Sequence, residues 1–139
     1  MMRAMPTRAT GSFDVKLVPQ SSDSSPEGTV LGRTSIDKQL YGDLEAASTG
    51  EMLSAMTGVK GSAGYVAMER VTGSLHGRKG NFVLQHSGTM FRGAQRLDIT
   101  VVPDSGTGGL TGLRGTMIIR IEAGGKHFYD LDYDIDAAG

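Results

Sequence analysis

Apolar residues alternate with polar ones in short runs along much of the chain. The runs are bounded by Gly, Pro, Ser, Asn and Asp, the period-two signature of strands with one buried face. "SFDVKLVP" puts Phe13, Val15 and Leu17 on one face, and "QSSDSSPEG" then reads as a polar loop with little to bury. "VLGRTSIDKQLYG" sets Ile36, Lys38 and Leu40 on a common face, and a turn at Tyr41-Gly42-Asp43 leads into a short run through Leu44 and Ala46. "GEMLSAMTGVKGS" reads as a loop with at most one helical turn. "AGYVAMERVTGSLHG" and "KGNFVLQHSGTM" form a hairpin about Gly77-Arg78, followed by "RLDITVVP", with Leu97, Ile99 and Val101 facing one way. A glycine-rich connector, "DSGTGGLTGLRG", precedes a last hairpin of "TMIIRIE" and "HFYDLDYDID" across Ala123-Gly124-Gly125.

Register follows from where the turns are centred. A symmetric turn at Gly77-Arg78 sets Glu69 opposite His86, Val71 opposite Leu84 and Gly73 opposite Phe82. A four-residue loop over Met90 to Gly93 sets His86 against Leu97, Leu84 against Ile99 and Phe82 against Val101. One face then collects Phe82, Leu84, Leu97, Ile99 and Val101 and must point inward, and Glu69 and His86 point inward with it. In the last hairpin a three-residue loop pairs Ile119 with Tyr129 and Met117 with Leu131. A one-residue slip there would expose the whole apolar set. Tyr129, Leu131, Tyr133 and Ile135 thus look inward, while Asp130, Asp132, Asp134 and Asp136 form the wet face.

Composition narrows the class. The chain has 139 residues, the length of one domain, assigned to residues 11–136 with residues 1–10 as an extension expected to be poorly ordered. Glycine supplies 21 residues, roughly twice the usual ~7 %, and sits between alternating segments as turn and corner punctuation. Helix signal is weak throughout. Seven or eight antiparallel strands with short links predict an all-β closed barrel, because closure removes adhesive edges. A net charge of −1 gives no footprint for nucleic acid or an anionic membrane. No run approaches the roughly 18 apolar residues of a spanning helix. The absence of cysteine excludes disulfides, thiolate metal sites and cysteine nucleophiles and agrees with a cytoplasmic location.

"GSAGYVAMERVTGSLHGRKGNFVLQHSGTM", "ITVVPDSGTGGLTGLRGTMIIRI" and "HFYDLDYDI" together resemble a bacterial domain-of-unknown-function family, number 3224, over roughly Phe13 to Ile135. The connector "SGTGGLTGLRG" is also similar to the "GGTG-x-F-x-x-A-R-G" signature of dirigent proteins and to the matching loop of plant allene oxide cyclases. Leu110 here stands where an aromatic is common and Leu113 where alanine is. The resemblance implies an eight-stranded, allene oxide cyclase-like antiparallel barrel with a central cavity, packed into homo-oligomers. It implies no reaction and transfers no catalytic residue, since fold alone does not carry function.

The chemistry-bearing candidates are the inward polar groups. Glu69 beside His86 in a low-dielectric barrel makes either a proton-transfer dyad or a structural charge-assisted bond. Lys38 either pairs with Glu69 or extends its ammonium to water at a barrel mouth. Tyr65, Tyr129 and Tyr133 offer hydroxyls to a ligand or serve as wall, with Phe82 and Leu84 as apolar lining. His76, His86 and His127 are the histidines of the chain, and neither His76 nor His127 has an acidic residue at a ligand-like spacing, so no metal and no cofactor is expected. "GTGGLTG" lacks the Gly-Lys-Ser/Thr ending of a phosphate loop.

The expectation is a barrel that takes an apolar or amphipathic small molecule in its cavity, as a carrier or an isomerase- or cyclase-like enzyme. Glu69 and His86 would be its catalytic pair, and Lys38, Tyr65, Phe82, Leu84, Tyr129 and Tyr133 its ligand contacts. The alternative is a non-catalytic assembly protein with a packed barrel.

Overall fold

The computed structural model describes residues 6–136. Eight strands follow one another in chain order: β1 Thr7–Ser24, β2 Val30–Gly42, β3 Leu44–Met56, β4 Ala63–Leu75, β5 Arg78–Phe91, β6 Ala94–Val101, β7 Leu113–Ile121 and β8 His127–Ile135. Each pairs antiparallel with its neighbour, and β1 pairs with β8 to close the barrel. The expected architecture is therefore present.

The inner face is the apolar set that the alternation predicts. Phe13, Leu40, Leu44, Val71, Leu75, Phe82, Leu84, Ile99, Val101, Met117, Tyr129 and Leu131 are buried in one cluster. The final hairpin has the expected register, Ile119 with Tyr129 and Met117 with Leu131. The glycine-rich connector makes a 3₁₀ turn, Gly108–Leu110, that buries Leu110, and Leu113 then opens β7 in the core.

Two registers differ from expectation. His86 lies opposite Ala67 and Ile99, Glu69 opposite Leu84, Val71 opposite Phe82, and Gly73 opposite Gly80. The turns explain this. His76 and Gly77 both have positive φ (46° and 82°), as do Arg92 and Gly93 (47° and 93°). Two left-handed residues make the tight two-residue loop whose twist matches the strands. Each turn therefore sits away from the assumed centre and each register shifts by two residues. A shift of two preserves which side chains face inward.

Two segments expected as loops are strands. The run through Ser24 continues β1, pairing with β2 as far as Ser24 with Val30 after a bulge between Pro19 and Ser21. "GEMLSAM" completes β3, laddered on both sides, with Met52 opposite Thr34 of β2 and Ala67 of β4. Neither has a continuous apolar face, so the ladder partners decide. At the N-terminus, β1 starts at Thr7, inside the expected extension, with Ala9 buried and opposite Leu131 of β8. Residues 1–5 of that extension lie outside the described residues.

Candidate functional site

The barrel interior has two halves. The end closed by the Gly42-Asp43 and His76-Gly77 turns and by the 102–112 connector is filled with side chains. The opposite end, where Thr57–Ser62 and Arg92-Gly93 turn the chain, holds a cavity of about 390 Å³. This is toward the small end of the ~300–1,000 Å³ usual for ligand pockets. Met52, Ser54 and Met56 of β3, Tyr65 of β4, Met90 of β5 and Leu97 of β6 line it. Tyr65 is half-buried and lies against Gly88, where an added Cβ would sit 2.5 Å from the ring.

Between the cavity and the packed half lies a buried polar layer. Lys38 of β2 and Ser48 of β3 face each other in the ladder, and Gly50 stands opposite Glu69. An added Cβ at Gly50 would lie 2.6 Å from Glu69 Cα, so the missing side chain lets β3 and β4 approach there. Glu69 receives three donors: Lys38 Nζ at 2.9 Å from Oε2, Ser48 Oγ at 3.2 Å from Oε1 and His86 Nε2 at 2.9 Å from Oε2. The Glu69 side chain is fully buried, and those of Lys38 and His86 are 7 % and 5 % exposed. Lys38 Nζ also lies 5.0 Å from the Phe13 ring centroid, a cation–π distance.

Two opposing effects set the acidity of Glu69. Burial alone pushes the carboxyl up; the bonds and charges of His86 and Lys38 outweigh it and hold the group at about 2. The layer thus contains a permanent carboxylate at neutral pH, with an ammonium balancing it. Above it, burial and then the Glu69 charge raise the Tyr65 phenol, so Tyr65 stays protonated and can donate. The Tyr65 and His86 rings lie 6.4 Å apart between centroids.

The expected site residues therefore separate. Lys38, Glu69 and His86 come together in the buried layer, and Tyr65 lines the cavity. Phe82 and Leu84 are core, below the layer. Tyr129 serves the backbone: its hydroxyl accepts from Leu44 N–H at 2.9 Å and donates to the Tyr41 carbonyl at 2.9 Å. Tyr133 sits at the filled end, its hydroxyl 2.5 Å from His76 Nδ1, while His76 Nε2 lies 3.5 Å from Asp43. Phe82, Leu84, Tyr129 and Tyr133 do not line the cavity. Sequence reasoning missed Met52, Ser54, Met56 and Met90. The signal was the alternation of Gly50, Met52, Ser54 and Met56 with Glu51, Leu53 and Ala55, too mixed in polarity to mark a strand unaided.

A closed antiparallel barrel with one filled end, a buried ionic layer and a methionine-lined mouth defines the chain as a small β-barrel protein. Residues 9–133 match the family described as "Protein of unknown function (DUF3224)", and the chain belongs to that family. It is similar to a solved protein of unknown function from the DUF3224 family of Shewanella oneidensis MR-1, with 57 % identity and a TM-score of 0.90 over 94 % of this chain and 98 % of that one. No curated protein matches. Among the described residues, no helix is long and apolar enough to cross a membrane.

Proposed function

We propose that the chain binds an apolar or amphipathic small molecule in the mouth of its barrel. The observation that carries this reading is the cavity itself, walled by Met52, Met56, Met90 and Leu97 together with Tyr65. Methionine adapts its shape to varied apolar partners, and a few polar groups at the base of such a wall orient a ligand. A carrier role fits better than catalysis by Glu69, because a carboxylate held at about 2 is a weak base at neutral pH. Any proton transfer rests with His86. The test is Nile red fluorescence with purified protein, together with mass spectrometry of material released on denaturation. Dye binding that is lost in Ser54→Trp, which fills the mouth, and kept in Val66→Asp on the outer wall supports the reading. Binding unaffected by Ser54→Trp overturns it.

A second reading, the assembly protein, is favoured by the outer wall. Leu31, Leu53, Val66 and Met68 are each more than half exposed on adjoining strands, with Leu53 directly opposite Val66. Contiguous exposed apolar surface commonly marks a contact site. A fall in molecular mass by sedimentation in Leu53→Glu, with Nile red binding absent from the wild type, would select this reading.

A further inference from the structure

We propose that the mouth is a soft-cation site, in which the thioethers of Met52, Met56 and Met90 together hold one monovalent ion of the copper(I) or silver(I) class. The site shares the cavity of the amphiphile reading and does not depend on an amphiphile binding there.

The ladder brings the sulfurs within reach of one another. Met56 pairs with Ala63, and Ala63 with Met90, so the two methionines flank one small residue in a single row across β3, β4 and β5. Neighbouring strands lie about 4.8 Å apart, which separates the two backbones by roughly 10 Å. Two methionine side chains leaning over Ala63 span that distance with an ion between their sulfurs. Met52 enters the same space from deeper in the barrel, where it stands opposite Ala67. Gln95, opposite Met90, brings its side-chain nitrogen to 3.9 Å from the Met90 sulfur, so that sulfur meets an exposed polar neighbour at the rim.

Apolarity alone does not call for methionine here. The filled end is built from Leu40, Leu75, Phe82 and Leu84 and their neighbours, and among the described residues Met117 is the methionine of that cluster. Three of the five described methionines instead line the mouth, and Met56 is 56 % exposed there. What thioethers add to an apolar wall is soft ligation, which favours copper(I).

The donor set decides the class of ion. Among the described residues, the lining holds no carboxylate, imidazole or thiolate, so hard and borderline divalent ions find no ligands in it. Neutral sulfurs suit a soft ion of single charge, which costs less to desolvate than a divalent one. Arg96 is the charged side chain of the lining, and Asp98, 3.5 Å away, balances it.

The experiment titrates silver(I), a redox-inert stand-in for copper(I), into the full chain carrying ¹³C-methyl methionine. The Met52, Met56 and Met90 methyl resonances should shift together, while exposed Met68 and buried Met117 stay in place. Zinc should move none of the five. Met56→Leu/Met90→Leu conserves volume and apolarity. It should weaken the silver affinity read at Met52 by at least ~100-fold, since even the outer-shell partners of a metal are worth ~10–100-fold. Met68→Leu should leave that affinity unchanged. Competition for copper(I) against bicinchoninate should rank the three proteins in the same order. Silver that moves Met68 as readily as Met56, zinc that moves the mouth methyls, or a folded double variant with wild-type silver affinity overturns the site. Nile red bound by the wild type without any silver shift overturns the cation site alone; silver shifts without bound dye overturn the amphiphile reading alone.

Discussion

Glu69 and His86 are diagonal neighbours: His86 stands opposite Ala67 and Glu69 opposite Leu84, yet their side chains meet at 2.9 Å. Both point into the barrel, and the small Ala67 leaves the imidazole free to lean along the face toward the carboxylate. With Lys38 on the other side, Glu69 is the centre of a layer in which each charge depends on its neighbours.

Removing that centre should be costly. Glu69→Gln leaves the Lys38 ammonium buried without a counter-charge, a change worth about 3–5 kcal/mol. Lys38→Met alone should also destabilise, while the double variant should recover part of the loss. Urea unfolding of the four proteins in a double-mutant cycle measures this. Additive losses would mean that the two groups do not act as a pair.

The same layer predicts an acid limb. The folded chain holds Glu69 at about 2 against an ordinary 4.5, so the unfolded chain takes up this proton more readily. The stabilisation is complete above 4.5 and is lost as pH falls toward 2, and its size is about 3 kcal/mol. Urea midpoints of wild type and Glu69→Gln should therefore converge across that window. A constant gap would rule out the linkage.

Tyr129 predicts a purely structural loss. Its phenol, held up to about 12 chiefly by burial, stays neutral and bridges Leu44 N–H to the Tyr41 carbonyl. Tyr129→Phe should lower stability by about 1–3 kcal/mol, since the Leu44 N–H loses its partner. Nile red binding at the far end should not change.

Gly50 connects backbone to site. Its added Cβ would lie 2.2 Å from the Met68 carbonyl as well as against Glu69. Both contacts are close to backbone, so Gly50→Ala must spread β3 from β4. Overpacking of this kind costs about 1–3 kcal/mol. Heteronuclear spectra should show the largest shifts at Ser48, Glu69 and His86; shifts confined to the outer wall would contradict the packing described.

The methionines provide a footprint. Met56 is 56 % exposed at the mouth, Met68 is 52 % exposed on the outer wall, and Met117 is 4 % exposed in the core. Mild peroxide should oxidise Met56 and Met68 well before Met117. A bound amphiphile should protect Met56 and leave Met68 reactive, as read by peptide mass spectrometry. Equal protection of both would place the ligand outside the barrel.

What the amino-acid sequence determined is parity. Alternation with period two decides which side chains enter the barrel, and a register shift of two residues, as in both inner hairpins, leaves that decision intact. Glu69 and His86 were therefore legible as inward groups that meet each other, although the residues directly opposite them in the ladder were not. The apolar alternation of β4 to β8 also carried the barrel, and the matched tyrosines and aspartates of β8 carried its wet and dry faces.

Tertiary structure decided the rest. Positive φ at His76-Gly77 and Arg92-Gly93 set the registers, because the twist of the ladder selects the tight turn over the looser ones that the residues also permit. Residues 20–24 and 50–56 became strands because neighbouring strands supply hydrogen bonds that no local pattern advertises. The cavity belongs to this second class. Met52, Met56, Tyr65, Met90 and Leu97 come from four strands, and the space between them exists only once those strands curve round and meet.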